Sequence, residues 1–581
     1  MKGMFKRALG VVASMALAAT GVMALTGAAE ATVRNECGEN KAACTITLTG
    51  SAAQITNHKF KYVKVASYDV YGASPQETLT LVTNPKIYSK VVKAVESATN
   101  KTVPTDDADT KVDPLAWAQQ QDSPALDQSE TEPWFGTDGS TRRFADSLRG
   151  LLVDNELSDA DDVLTVTDPN TEGNVTATFT FTSPGLYLIL DQTAIDSKPA
   201  EEDKNPVAGS TRAVPILAGT ELTLNSGTAN EKRYAEGTAE MKNDVLTIDK
   251  TVNGSDHDSV QVGDYAKYQI STQIPQYAGY KVDGYRFTIT DKFKDDAPLQ
   301  YVSNDENHPL TVTVNGQELT KDVDYTVNGF TDESKTFTID LTSYIVRTSA
   351  AEVPATDETF INADLAGAEV MVTYYAVVTD STPAEGAINT ATVTYPNDPT
   401  DNTEYDELPS PEAKVFNFDY TISKVDHVTG DKLQGATFAI YEKGSGNFLQ
   451  KSTTGKDGVV KFYGLKGSEK GVTYTIKEIA APAGYVNVGV KFDVTIKAKI
   501  EGENANAHVA SVTYETDGDT WNLVSGDNSA MVTVENVKSV TQLPLTGAAG
   551  TMLFTVLGLL IAGTGALVYV KSRNVKHVLR G

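Results

Sequence analysis

The chain has 581 residues, 40% hydrophobic and 22% charged, with 49 basic against 77 acidic side chains and a net charge of -28. That length suggests about three or four domains, with too much apolar material for a disordered chain. The acidic balance lacks the basic face a nucleic-acid binder needs, and 2 cysteines with 6 histidines cannot supply repeated metal sites or a disulfide framework.

Lys2, Lys6 and Arg7 precede an apolar run from Ala8 to about Ala28, and Ala29-Glu30-Ala31 follows as a cleavage pattern. Residues 1–31 therefore read as a Sec signal peptide. Cys37 and Cys44 stand just beyond it. In an exported chain such a pair is expected to close a small disulfide, and only Arg34 and Lys41 nearby could favour a reactive thiol.

Residues 32–240 form a first block that mixes strands and helices. Tyr62-Val63-Lys64-Val65 and Ala177-Thr178-Phe179-Thr180-Phe181 alternate as strands do, whereas Phe144, Leu148, Leu151 and Leu152 lay one apolar stripe along a helix. Segment 101–139, rich in Asp, Pro and Gln, reads as a long loop. Residues 241–412 read as a strand-rich sandwich, with runs at Tyr265–Ile274, Tyr285–Thr290, Leu310–Val314, Thr336–Leu341, Val370–Val378 and Thr390–Tyr395. Asn397 to Pro411 is polar and reads as a linker. Residues 413–538 carry a further set of short strands and read as a second sandwich.

The C-terminus holds Leu543-Pro544-Leu545-Thr546-Gly547, then the mostly apolar stretch 552–570, then the basic tail 571–581 with Lys571, Arg573, Lys576 and Arg580. At ~1.5 Å per residue the apolar stretch spans roughly 28 Å, about one bilayer core, and the tail is a positive-inside stop. Motif, helix and tail in this order resemble the sorting signal of sortase-anchored surface proteins of Gram-positive bacteria. The resemblance implies that a sortase cysteine attacks the Thr546 carbonyl, releases Gly547 onward and passes the acyl group to an amine.

In the last block, Thr421-Ile422-Ser423-Lys424-Val425-Asp426 opens the first strand. Tyr474-Thr475-Ile476-Lys477-Glu478 runs into Ala481-Pro482-Ala483-Gly484-Tyr485, and Val532-Thr533-Val534-Glu535-Asn536 closes the last strand. This resembles the Cna B-type domain, which implies an intramolecular isopeptide bond from Lys424 to Asn536 promoted by Glu478. In the middle block, Leu246 to Val252, Ile289 to Phe293 and Ile388 to Tyr395 are similar to the lysine, acid and asparagine strands of major pilins. There the resemblance implies a bond from Lys250 to Asn389 with Asp291 as the acid. The chemistry needs these residue types: a lysine attacks only as the neutral amine, which burial favours, and burial also keeps a carboxyl protonated and able to polarise a carboxamide. The first block shows no such set.

The chain thus resembles a sortase-assembled major, or backbone, pilin, by specific motifs over about residues 210–581 and by position alone over residues 32–209. The fold expected is mainly β: tandem immunoglobulin-like or Cna-type sandwiches behind an α+β N-terminal domain. Pilins of this family accept the acyl group on a lysine in a Tyr-Pro-Lys-Asn motif ahead of the middle domain. Here Lys242-Asn243 keeps half of it, in Ala239-Glu240-Met241-Lys242-Asn243-Asp244, and Lys242 is the expected acceptor. Tyr395-Pro396-Asn397-Asp398 has no amine, and Lys86 of Asn84-Pro85-Lys86 lies early in the first block.

The resemblance also implies partners: a class C sortase, a housekeeping sortase, other copies of the chain, minor or tip pilins and peptidoglycan, with a host glycan or matrix protein as the open target class. It implies cell-wall fimbriae reached through a membrane-held precursor. No cofactor or metal is expected, since His58, His257, His308, His427, His508 and His577 never approach a ligand spacing, and no catalytic motif of an enzyme occurs. A monomeric wall-anchored adhesin with the same domains as a stalk is the alternative.

Overall fold

The computed structural model describes residues 32–33, 37, 44–56, 58–104, 112–119, 140–167, 169, 174–192, 209–241, 243–275, 280–349, 365–398, 401–526 and 529–544. The expected leader, Lys242, Leu545, Thr546, Gly547, the apolar stretch 552–570 and the basic tail lie outside the described residues. Among the described residues no helix is long and apolar enough to cross a membrane.

The N-terminal part is α+β. A long strand, Phe60–Tyr71, pairs with Leu186–Asp191 and Thr78–Thr83, and a second sheet is built on Thr45–Ser51 and Asn174–Thr180. Helices Tyr88–Thr99 and Ser140–Leu151 close the first sheet, burying Val91, Ala94, Val95, Phe144 and Leu148 in one core. Asn100 ends the first of these helices in the left-handed region, φ 53°, which Asn tolerates better than most side chains. Segment 101–139, expected as loop, contains a short helix at Pro114–Gln119, where proline opens the first turn at no hydrogen-bonding cost. Cys37 and Cys44 are joined as a disulfide, with Cα atoms 5.7 Å apart.

The middle part is two facing sheets. One runs Asp249–Val252, Tyr265–Gln273, Glu369–Val378, Thr311–Val314, Gln317–Glu318; the other runs His257–Ser259, Ala413–Phe416, Ala387–Asp398, Thr288–Phe293, Thr336–Asp340, Thr326–Asn328. Alternation buries Tyr268, Ile270, Val370, Val372 and Tyr374 from one sheet against Ile289, Phe337, Ile339 and Val393 from the other. Helix Thr342–Ser349 interrupts the strand-only pattern and buries Ile345.

The expected linker is corrected here. Residues Asp401–Pro409 form a strand that folds back on Ala387–Asp398, from Thr392↔Pro409 to Asp398↔Asp401. A polar edge strand carries few apolar residues, so composition alone made it look like loop. Ala413–Phe416 also belongs to this sheet, pairing with Ala387–Asn389 and, in parallel, with His257–Ser259.

The C-terminal part packs a sheet of Val459–Leu465, Phe418–Asp426, Met531–Asn536 and Val524–Ser525 against one of Phe448–Thr453, Thr437–Glu442, Val472–Ala480, Lys491–Glu501 and His508–Asp517. It is locked to the middle part by a backbone hydrogen bond and by a lysine side chain that reaches backbone carbonyls. Val262 N–H donates to the Gly464 carbonyl at 2.8 Å, and the Lys414 ammonium caps the Ala505 and Ala507 carbonyls at 2.8 and 3.2 Å. Gly464 sits at φ +62°, and a Cβ there would lie 2.0 Å from the Val262 side chain. Only glycine fits that joint.

Candidate cross-linking sites

In the middle part, the lysine and the acid–amide pair come from opposite sheets. Lys250 is carried by Asp249–Val252, whereas Asp291 and Asn389 lie on adjacent antiparallel strands in the register Asp291↔Ala391 and Phe293↔Asn389. Two-residue spacing turns Asp291 and Asn389 to the same inner face. All three are 0% exposed. The Lys250 ammonium meets Asp291 Oδ2 directly and the Tyr374 hydroxyl at 2.9 Å.

Tyrosines complete this site, and sequence reasoning missed them. The Tyr374 hydroxyl donates to Asp291 Oδ2 at 2.6 Å and accepts from Asn389 Nδ2 at 2.7 Å, so it touches every member of the set. Tyr301 donates to Asp291 Oδ1 at 2.8 Å. The rings of Tyr268 and Tyr374 lie 5.5 and 5.3 Å from the lysine nitrogen. Burial drives the Lys250 amine below its ordinary value, against the opposing pull of Asp291. Burial likewise holds the Tyr374 and Tyr301 hydroxyls protonated, far above the usual phenol range, with the Asp291 carboxylate adding to the effect.

In the C-terminal part, lysine and asparagine are neighbours in one sheet. Phe418–Asp426 and Met531–Asn536 run parallel, with Lys424↔Val534 and Asp426↔Asn536, so Lys424 and Asn536 share the inner face one step apart. Glu478 reaches them from the facing sheet. Its Oε1 lies 3.5 Å from Lys424 Nζ and accepts from Asn536 Nδ2 at 3.1 Å, while Lys424 also donates to the Glu535 carbonyl at 2.9 Å. Burial pulls Lys424 down to about 8 and pushes the Glu478 carboxyl up.

Both asparagines keep a buried carbonyl oxygen without a partner, and Glu478 Oε2 is likewise unpartnered. An orphaned buried acceptor is costly. Turning the Asn536 carboxamide over would bring its oxygen to a protonated Glu478, the orientation that polarises the carbonyl for attack. Near the rim, the Tyr485 hydroxyl donates to Asp426 Oδ2 at 2.6 Å, and Lys538 adds a charge at 3.0 Å; these hold the Asp426 carboxyl well below the usual range.

The residues flanking Lys242 are pinned. Met241 N–H donates to the Thr49 carbonyl at 2.8 Å, and Asp244 N–H donates to Thr211 Oγ1 at 2.9 Å. Leu543, the first residue of the sorting motif, is buried with the C-terminal core. Among the described residues no group of His, Cys, Asp and Glu could hold a metal ion.

Residues 418–507 match the family model described as a prealbumin-like fold domain, SpaA, and residues 535–577 match that of the LPXTG cell wall anchor motif. A curated relative, the trypsin-resistant surface T6 protein of Streptococcus pyogenes serotype M6, is 25% identical over 367 residues, which are 59% of this chain and 61% of that protein. The match therefore spans about three-fifths of the relative. Among solved structures, the T6 backbone pilin of S. pyogenes serotype M6 aligns at 16% identity over 87% of this chain and 100% of that one, with a TM-score of 0.48. The full-length major pilin SpaD of Corynebacterium diphtheriae aligns at 16% identity over 87% and 99%, with a TM-score of 0.45. With its prealbumin-like domain, its LPXTG cell wall anchor motif and its surface-protein relative, the chain is a cell-wall-anchored surface protein.

Proposed function

We propose that the chain is the repeating subunit of a covalent fimbrial shaft. A sortase cleaves between Thr546 and Gly547, and the Thr546 acyl group passes to Lys242 of another copy, releasing the sortase thiol. Each subunit is tied internally by Lys250–Asn389 and Lys424–Asn536 bonds. In each, the neutral lysine amine attacks the asparagine Cγ, the acid relays the proton to the departing nitrogen, and ammonia leaves. A class C sortase would build the shaft and a housekeeping sortase would join it to peptidoglycan, with adhesion to a host glycan or matrix protein as its use.

The observation that carries this reading is the repetition of one dry lysine–acid–asparagine set in two consecutive sandwiches ahead of a wall-anchor motif. Wall extracts should show a ladder of bands resistant to heat and detergent, and Lys242→Ala should collapse it to monomer. A single wall-linked species, unchanged by Lys242→Ala, would establish the adhesin instead.

A further inference from the structure

The N-terminal part contains a buried array that the shaft mechanism does not use. His58 Nδ1 meets Asp191 Oδ2 at 2.7 Å, and Asp191 Oδ2 also accepts the Ala213 N–H at 2.9 Å. On the other side of the ring, Nε2 lies 3.1 Å from Ser210 Oγ. Asp191 accepts only, so Nδ1 carries the ring proton and Nε2 presents its lone pair to the serine hydroxyl. That is the arrangement of an activated oxygen nucleophile. The His58 and Asp191 side chains are 3% and 0% exposed.

Ser210 Oγ faces a carboxamide. Asn243 Nδ2 lies 3.0 Å from Ser210 Oγ and 3.5 Å from His58 Nε2, and it donates to the Gln54 carbonyl at 3.1 Å. The Gln54 side chain returns the contact, donating to the Asn243 carbonyl at 2.9 Å. Because a main-chain carbonyl accepts only, the nitrogen must face this cluster. The Asn243 Oδ1 atom is left buried without a partner, and the residue is 5% exposed. Asn389 and Asn536 show the same combination: a buried amide beside a nucleophile, with its carbonyl oxygen unpaired.

We propose that Ser210 and Asn243 form an intramolecular ester. Ser210 Oγ attacks Asn243 Cγ, and His58 Nε2 takes the hydroxyl proton. His58 then delivers that proton to the amide nitrogen, which its 3.5 Å contact allows. The C–N bond breaks, ammonia leaves, and an Oγ–C(=O) bond remains with His58 neutral again. Asp191 holds the ring and stabilises the transient imidazolium. No oxidant, metal or further reactant is needed. The bond would fasten the segment around residue 243 to strand Gly209–Ser210, which pairs with Val245–Leu246 at the entry to the middle part.

The test is peptide mapping of the wall-released protein. A linked pair of peptides containing Ser210 and Asn243, about 17 Da lighter than their sum through lost ammonia, is the expected product. Neutral-to-alkaline hydroxylamine should split it and leave a hydroxamate at residue 243, while the two lysine-derived links survive. Ser210→Ala and His58→Gln should each abolish this link completely and leave the other two, which also shows that the variants fold. Separate peptides with unmodified Ser210 and Asn243 in the native chain, aspartate at position 243, or a link that resists hydroxylamine would each overturn the proposal.

Discussion

The two lysine sites use the same three residue types in different geometries. In the middle part the amine crosses from one sheet to the other, and a tyrosine hydroxyl stands between amide and acid. In the C-terminal part amine and amide are strand neighbours, and the acid touches the amide directly from across the core. What the sites share is dryness and convergence rather than a strand plan. Burial alone can drive a lysine toward the neutral form and a carboxyl toward the acid form. The proposed bonds would then call for inner faces that bring these groups to one carboxamide, whatever the strand plan.

Removing the acids should have the largest effect. Asp291→Ala and Glu478→Ala should each leave one bond unmade, raising the intact mass by about 17 Da beyond the substitution itself. Each should cost roughly 5 kcal/mol of unfolding free energy, the loop-closure value for a link spanning more than 100 residues. Calorimetry should show the greater loss for Asp291→Ala, because Tyr301 and Tyr374 then lose a buried acceptor as well. Equal losses would mean that the tyrosines contribute nothing.

A smaller effect should appear with pH. Asn536→Ala keeps Lys424 as an amine, titrating at about 8 when folded and at about 10.4 when unfolded. Between those values the unfolded chain binds more protons, so stability rises with pH across that window and the penalty is full below it. The gain should be of order 3 kcal/mol. It should be read as the difference in melting temperature between variant and native chain, in which the proposed bond would consume that amine. A difference that is flat from pH 8 to 10 would place a cationic lysine in the core.

The smallest effect separates the two geometries. Tyr374→Phe removes the hydroxyl shared by lysine, acid and amide, and should slow closure of the middle bond about tenfold, or ~1.4 kcal/mol in the barrier. Phe438, whose ring lies 5.8 Å from Lys424 Nζ, has no such hydroxyl, and Phe438→Leu should leave closure of the C-terminal bond at its native rate. Time-resolved intact mass after synthesis reads both.

The two lysine–acid–asparagine sets were legible through their resemblance to known strand motifs, and the folded chain brings the members of each together. The sequence did not disclose the tyrosines. Tyr268, Tyr301 and Tyr374 alternate with aliphatic residues as any core aromatic would, and only the facing sheets show where their hydroxyls point. The strand Asp401–Pro409 was illegible for the opposite reason: at a sheet edge a polar run can pair through its backbone. His58, Asp191 and Ser210 are more than 130 residues apart in their first two members, so no local pattern joins them. The sandwiches themselves were plain from alternation, and the α+β character of the first part from the stripe Phe144, Leu148, Leu151.

Each sandwich places its lysine on the opening strand and its asparagine near the close. In the shaft proposed above, with those bonds and the intersubunit link closed, a pull along the fibre would enter at residue 242 and cross from 250 to 389. It would continue along the backbone to 424, cross to 536 and leave at 546. Everything between 251 and 388, and between 425 and 535, hangs beside that line, as does the whole region ahead of 242. With the bonds closed, those stretches could loosen and refold without the fibre lengthening.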